Sequence, residues 1–205
     1  MKEVSGKYEI KKEQIIEAAE ELIAYYGYDK TTLDDIAKQV GVKKNSIYYY
    51  FESKEDLLNT IITRYFDDKV KSFKAQSLGA ENTLEKLKLF ISIFLSQNYN
   101  EKKTYNITPS AFLEISKVIT NSFIQFITEA EKLLREILNE GKRNGELRNH
   151  NAKEVAKMIL EFTRALEFMM YSNSNVKFID SNLQSALEGK VLQFIELIYY
   201  GINKK

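Results

Sequence analysis

The chain contains no cysteine and only one histidine among its 205 residues. A disulfide framework and a thiolate metal site are therefore out of reach, and a single imidazole cannot assemble a histidine cluster. Such cysteine usage is compatible with a reducing cytoplasmic setting. Proline occurs once and glycine eight times, whereas sheet proteins use such residues at many turns, so helices joined by few loops are expected. No apolar run approaches the roughly 20 residues that span a bilayer, and Met1 to Ile10 lack the apolar core of a secretory leader, so no membrane partner is expected. The formal net charge is +1, and any signal for a polyanionic partner therefore has to be local. Hydrophobic residues make up 44% of the chain, enough to bury the core of one or two globular domains.

Helical periodicity, by contrast, is abundant. From Glu13 to Tyr26 the apolar residues Ile15, Ile16, Ala19, Leu22, Ile23 and Tyr26 recur at three- and four-residue spacing, which predicts an amphipathic helix that Gly27 stops. Thr31 and Thr32 stand where an N-cap belongs, with Asp34 and Asp35 three residues on as a capping-box variant. Leu33, Ile36, Ala37 and Val40 then give a second, short helix its inner side, and Gly41 halts it. A third short helix can start at Asn45 or Ser46 and end at Phe51, while Ser53, Glu55 and Asp56 open a long one that runs through Val70. Further helices are expected at about 83–98, 109–119, 121–143, 152–172 and 181–201, about nine in all, with polar connections at 74–82, 99–107, 144–151 and 173–180. Pro109 suits the first position of its helix, where a missing N–H costs nothing.

Two short helices around a glycine-containing turn, braced by a preceding helix, form the unit that lays its last helix in the major groove of DNA. Within the third helix Ile47 and Phe51 are four apart and should face inward with Val42, which leaves Lys44 with Tyr48 and Asn45 with Tyr49 outside. Those amines, amides and phenols can serve phosphates and base edges. Residues 1–54 carry nine lysines and ten acids, but Lys38, Lys43, Lys44 and Lys54 against Glu52 leave a local +3 on the outer side. Lys7, Lys11 and Lys12 are either a flexible arm toward a nucleic-acid backbone or a solvated run.

The run Gly27-Tyr28-Asp29-Lys30-Thr31-Thr32-Leu33-Asp34-Asp35-Ile36-Ala37-Lys38-Gln39-Val40-Gly41-Val42, followed by Ser46-Ile47-Tyr48-Tyr49-Tyr50-Phe51-Glu52-Ser53-Lys54-Glu55-Asp56-Leu57, resembles the tetracycline-repressor (TetR-like) family over about residues 11–58. The resemblance implies an all-α protein with a DNA-binding domain at 1–54 and a helical effector-binding and dimerisation domain at 55–205. It implies phosphate contacts from Thr32, Tyr48 and Lys54, with Thr31, Lys43, Lys44, Asn45, Ser46 and Tyr49 as groove or backbone neighbours. Asn45 stands where relatives often carry a small residue, and its amide either reads a base or caps the helix.

Beyond residue 54 no catalytic constellation, phosphate loop or paired metal motif is visible; His150 stands alone in a polar loop expected at the surface, and no cofactor is expected. Large apolar side chains dominate instead, most of them core. The resemblance implies a small-molecule pocket within 54–143, for which Phe66, Phe94, Phe112, Ile115, Phe126 and Phe162 are candidates, and an apolar lining suits a small apolar effector. The last two helices are apolar over wide arcs, which calls for a second packing partner unless the monomer buries both sides. The resemblance implies a homodimer through them, with Phe162, Leu166, Met169, Leu187, Val191, Phe194, Ile195 and Ile198 at the interface. The function so implied is a ligand-responsive repressor on a palindromic double-stranded operator, released by its effector. Activation, a DNA-bound structural or division-control role with a protein partner, and a helical enzyme are the alternatives.

Overall fold

A computed structural model of the chain describes residues 2–96, 98–100, 103–104, 108–115 and 121–203. Its elements follow in the order α1 (Lys2–Tyr26), α2 (Leu33–Val40), α3 (Lys44–Ile47), α4 (Lys54–Ser77), α5 (Thr83–Leu95), β1 (Asn98–Asn100), β2 (Lys103–Thr104), α6 (Pro109–Ile115), α7 (Asn121–Arg143), α8 (Ala152–Ser172) and α9 (Ser181–Ile202). Among the described residues the all-helical expectation holds apart from an antiparallel ribbon, in which Asn98 faces Thr104 and Asn100 faces Lys103, and an isolated bridge between Leu147 and Asn203.

Local chemistry sets most boundaries. Thr32 and Asp35 form a reciprocal capping box at the start of α2, the hydroxyl accepting from Asp35 N at 3.2 Å and the carboxylate from Thr32 N at 3.1 Å. Gly41 ends α2 in the left-handed region with φ 73°. Ser53 accepts from Asp56 N at 3.0 Å, Asn82 from Glu85 N at 3.0 Å and Asp180 from Leu183 N at 2.8 Å, which fixes the starts of α4, α5 and α9. Pro109 occupies the first position of α6, with Thr108 accepting from Ala111 N at 3.1 Å.

Several boundaries differ from the expectation. Helix α1 begins at Lys2 rather than Glu13, so Lys7, Lys11 and Lys12 sit in regular helix and not in a flexible arm. Helix α3 takes Lys43 as its N-cap position with no side-chain hydrogen bond, and Asn45 and Ser46, expected as caps, lie inside the helix. Helix α4 runs on to Ser77, because Phe73 finds a core to enter, and the following connection shortens accordingly. Helices α5 and α6 end at Leu95 and Ile115, short of the expected 98 and 119, and residues 116–119 of that reading lie outside the described residues. Tyr26, expected inward, is exposed at the end of α1.

Two apolar cores result. The first gathers Ile15, Ile16, Ala19, Ile36, Ile47, Phe51, Leu57 and Leu58, with Ile61 and Ile62 against it. The second begins on α4 at Phe66 and takes in Phe73, Phe90, Leu134, Ile159, Leu187, Val191 and Ile195. The apolar division therefore falls inside α4, between Ile62 and Phe66. Polar links tie the two halves as well: Arg64 donates to Glu13 at 2.6 Å, and Thr108 N donates to Ala24 O at 3.1 Å. Glu114 of α6 accepts from Asp29 N at 2.8 Å.

That last contact explains Gly27. Its φ is +92°, and a Cβ there would lie 2.1 Å from Glu114 Oε2. Gly27→Ala should destabilise the fold by about 1–3 kcal/mol, since it combines a left-handed backbone with a steric conflict. Urea denaturation checks this, and a midpoint equal to that of the parent chain would remove Glu114 from the account of Gly27.

Candidate nucleic-acid interface

Helix α3 is a minimal platform. It is helical only over Lys44–Ile47, then continues as a turn in which Ile47 O accepts from Tyr50 N at 2.9 Å and Phe51 N at 3.0 Å. Ile47 and Phe51 are buried against α1 and α2, as their four-residue spacing requires. Their burial points the other residues outward: Lys43, Lys44, Asn45 and Ser46 are exposed, Tyr48 is 50% exposed and Tyr49 73%. The structure brings these six predicted residues together on one surface. Lys44 does not face solvent alone, because its ammonium pairs with Asp34 at 3.0 Å, which raises its pKa and removes part of the local positive excess.

The remaining predicted residues do other work. Thr32 is exposed at the α2 start, where its hydroxyl donates to Asp35 at 2.6 Å. The hydroxyl and backbone N–H of Thr32 hold the Asp35 carboxyl below its usual range. Thr31 is a correction to the expected surface set: it is 2% exposed, and its hydroxyl donates to Gly27 O at 2.8 Å, so it stitches the α1–α2 turn from inside. Lys54 donates to Tyr28 O at 2.8 Å and Thr31 O at 3.0 Å, with its ammonium 4.0 Å from the Tyr28 ring centroid. The first residue of α4 thereby clamps the α1–α2 turn.

One arrangement was not anticipated. Tyr8 of α1 stacks on Tyr50 at 4.8 Å between centroids and meets Tyr49 edge-on at 5.6 Å, while Tyr49 and Tyr50 meet edge-on at 5.1 Å. Tyr8 is far from the turn in sequence, and only the approach of α1 to the turn after α3 makes the cluster.

A sequence model described as bacterial regulatory proteins, tetR family, matches residues 15–61. Over this segment the chain is similar to TetR-like transcriptional regulators. The fatty acid metabolism regulator protein of Bacillus subtilis is 28% identical over 147 residues, covering 72% of this chain and 76% of that one. The negative transcriptional regulator IcaR of the icaADBC biofilm operon in Staphylococcus aureus is 48% identical over 56 residues, 27% of this chain and 30% of that protein. The structure of the regulator FadR from Bacillus subtilis in complex with stearoyl-CoA matches with a TM-score of 0.66 and 25% identity, covering 89% of this chain and 96% of that one. No helix among the described residues is long and apolar enough to cross a membrane.

The second half of the chain sorts its predicted residues differently. A cleft of about 330 Å³ lies between α4 and α7, floored by Phe66, Val70, Phe126 and Leu133 and rimmed by Asp67, Lys74, Glu129, Lys132 and Glu136. Of the pocket candidates, Phe66 and Phe126 line this cleft, with ring centroids 4.7 Å apart. Phe94 packs behind them, stacked on Phe90 at 4.0 Å. Phe112 is drawn away onto Tyr171 at 4.8 Å, and Phe162 stacks on Phe194 at 3.8 Å on α8 and α9, so neither belongs to the cleft. The side chain of Ile115 lies outside the described residues.

The interface candidates need the same sorting. Leu187, Val191 and Ile195 of α9 are fully buried within the chain, because α9 turns that stripe onto α5 and α8, and Leu166 of α8 is nearly so; these four are core. Met169 is half-exposed, and Phe162, Phe194 and Ile198 are partly covered. Met158 and the 74% exposed Leu197 extend that outer apolar face and were missed, since periodicity alone could not say which of two apolar stripes turns inward. His150, expected at the surface, is partly buried, with Nδ1 2.8 Å from Arg148 O and its own carbonyl accepting from Lys142.

A buried polar cluster was also illegible beforehand. Lys69 is 4% exposed, yet its ammonium donates to Ile93 O at 2.6 Å, Ser96 O at 2.5 Å and Ser96 Oγ at 3.2 Å, closing the carboxyl end of α5. Burial pulls the Lys69 pKa down to about 7 against the attraction of Glu167. The Glu167 carboxyl of α8 is pushed up to about 7 by burial, opposed by Arg164 and Lys69. Because the folded chain holds this proton more tightly than the unfolded one, the contribution of Glu167 to stability is full below about pH 4.5 and is lost as pH rises through about 7. Glu167→Gln should flatten the stability profile in that window, read as urea midpoints at several pH values. An unchanged slope would assign the titration elsewhere.

Proposed function

We propose that this chain is a repressor that binds a palindromic DNA operator as a homodimer and is released by a small effector with an apolar body. The observation that carries the DNA reading is the exposed set Lys43, Lys44, Asn45, Ser46, Tyr48 and Tyr49 on the buried base of Ile47 and Phe51. Lysine and phenol groups supply donors for phosphates, asparagine fits an adenine edge, and ring edges meet thymine methyls. Lys54 acts here through the α1–α2 turn and Thr32 at the exposed start of α2, each beside the same backbone.

Dimerisation is supported by the outer face of α8 and α9, where Met158, Phe162, Met169, Phe194 and Leu197 share one apolar strip. A two-fold pair would set two recognition helices about one DNA turn apart, roughly 34 Å. The effector reading is supported by the apolar floor of the α4–α7 cleft and by likeness to FadR, whose structure holds stearoyl-CoA. A ligand wedged against Phe66 acts on the same helix whose first residue holds the α1–α2 turn, so it can bias the DNA-reading unit by its differential affinity for two arrangements.

The central test uses a duplex recovered by the chain from a random-sequence pool. Tyr48→Ala should weaken binding to that duplex with no loss of thermal stability, whereas Lys54→Met should lower both, the stability by about 1.5–3 kcal/mol for hydrogen bonds from a charged group. Equal affinity for Tyr48→Ala and parent would take Tyr48 off the DNA surface. Leu197→Asp should convert a species near twice 23.9 kDa into one of 23.9 kDa in sedimentation. A wild-type monomer that still binds a palindrome tightly would sink the interface. Stearoyl-CoA should lower duplex affinity about 5- to 150-fold, and the duplex should weaken stearoyl-CoA binding by the same factor. Independent binding of the two would leave a DNA-bound protein without a ligand switch.

A further inference from the structure

The family match begins at residue 15, but α1 begins at Lys2, and the turns in between lie against the recognition unit. Tyr8 stacks on Tyr50 at 4.8 Å and touches Tyr49 edge-on at 5.6 Å, while Tyr49 stays 73% exposed. A large ring held on two sides by other rings and still turned to solvent is presented rather than stored. Helix α3 has little stiffness of its own, with four helical residues and no side-chain cap. The direction of Tyr49 therefore depends on the brace from α1.

The same turns carry cations. Lys7 precedes Tyr8 and Lys11 follows it, four residues apart and so on one stripe of the helix. The Lys12 ammonium lies 5.6 Å from the Phe51 ring centroid, which pins this part of α1 to the foot of the recognition unit. Glu9 lies between the two lysines on another side of the helix, and Glu13, the next acid along, is drawn away to Arg64 at 2.6 Å.

We propose that the N-terminal turns of α1 belong to the DNA-contacting surface: Tyr8 is a positioning residue that aims Tyr49, and Lys7 and Lys11 contact backbone phosphates beside the groove that α3 enters. The proposal rests on the DNA reading above and extends its surface beyond the helix-turn-helix. The two parts separate by chemistry, because phosphate contacts strengthen binding to every sequence whereas an aimed ring edge discriminates among bases.

The experiment uses the full chain and the duplex it recovers from a random-sequence pool, with binding measured across a salt series. K7Q/K11Q should weaken binding to all duplexes, make the log–log salt dependence shallower by about 0.9 for each phosphate no longer neutralised, and shorten the hydroxyl-radical footprint at its outer edges. Tyr8→Leu should keep the parent salt dependence and lose several-fold preference for the recovered duplex over point-substituted ones, while Tyr8→Phe, which still stacks, should behave as the parent. An unchanged salt dependence and footprint in K7Q/K11Q overturns the phosphate contacts, and parental discrimination in Tyr8→Leu overturns the positioning role. A wild-type chain that recovers no duplex overturns the DNA reading and this proposal with it.

Discussion

Helix α4 packs Leu57 and Leu58 into one core and Phe66 and Phe73 into another, without a break between them. Each such buried side chain contributes about 1.5–3 kcal/mol, so neither end of the helix can be released cheaply. The rise from Lys54 to Phe66 is about 18 Å at 1.5 Å per residue. One end of that rod closes the α1–α2 turn through the Lys54 ammonium, and further along it lines the α4–α7 cleft. The two cores are thereby mechanically dependent, since a helix of this length tilts as a unit more readily than it bends.

Around α4 the polar contacts are placed where they hold geometry. Glu114 reaches from α6 over Gly27 to Asp29 N, and Arg64 reaches from α4 to Glu13, so the recognition unit is held from two directions. Helix α6 in turn rests on α8 through Phe112 and Tyr171. The Lys69 ammonium shares the Ile93 and Ser96 carbonyls at the end of α5 with the Ser96 and Tyr65 hydroxyls, so that end of the helix is fully paired. Only the Lys69 contact takes a charge out of water, so breaking it costs more than breaking the half-exposed Arg64–Glu13 pair.

The recognition surface shows how little regular structure such a site needs. Four helical residues and a turn suffice because Ile47 and Phe51 anchor them and Tyr8 braces the far side. Asp34 beside Lys44 limits the positive field to what its neighbours supply. In the proposed dimer, binding strength would come from several modest contacts repeated by symmetry, in keeping with a net charge of only +1.

Local chemistry was legible from the residues alone. The Thr32–Asp35 box, the glycine stops at Gly27 and Gly41, the Ser53 cap, the place of Pro109 and the inward pair Ile47 and Phe51 all follow from groups within four residues of one another. What depends on distance in the chain was not legible. Thr31 and Thr32 are identical neighbours, and only the turn of the backbone sends one hydroxyl inward to Gly27 O. Leu187, Val191 and Ile195 look no different in sequence from Leu197, yet packing on α5 and α8 makes the first three core and leaves the last outside. Lys69 and Glu167 are almost a hundred positions apart, and their shifted protonation exists only because the fold carries each into surroundings that disfavour its charge. Sequence by itself determined which segments are helices and which side chains of the recognition turn face out, because those are set by hydrogen bonds and periodicity within a turn or two. Tertiary structure alone decided which apolar stripe is buried, which lysine is a clamp and which tyrosine is aimed, because each of those is settled by what another helix brings to the same place.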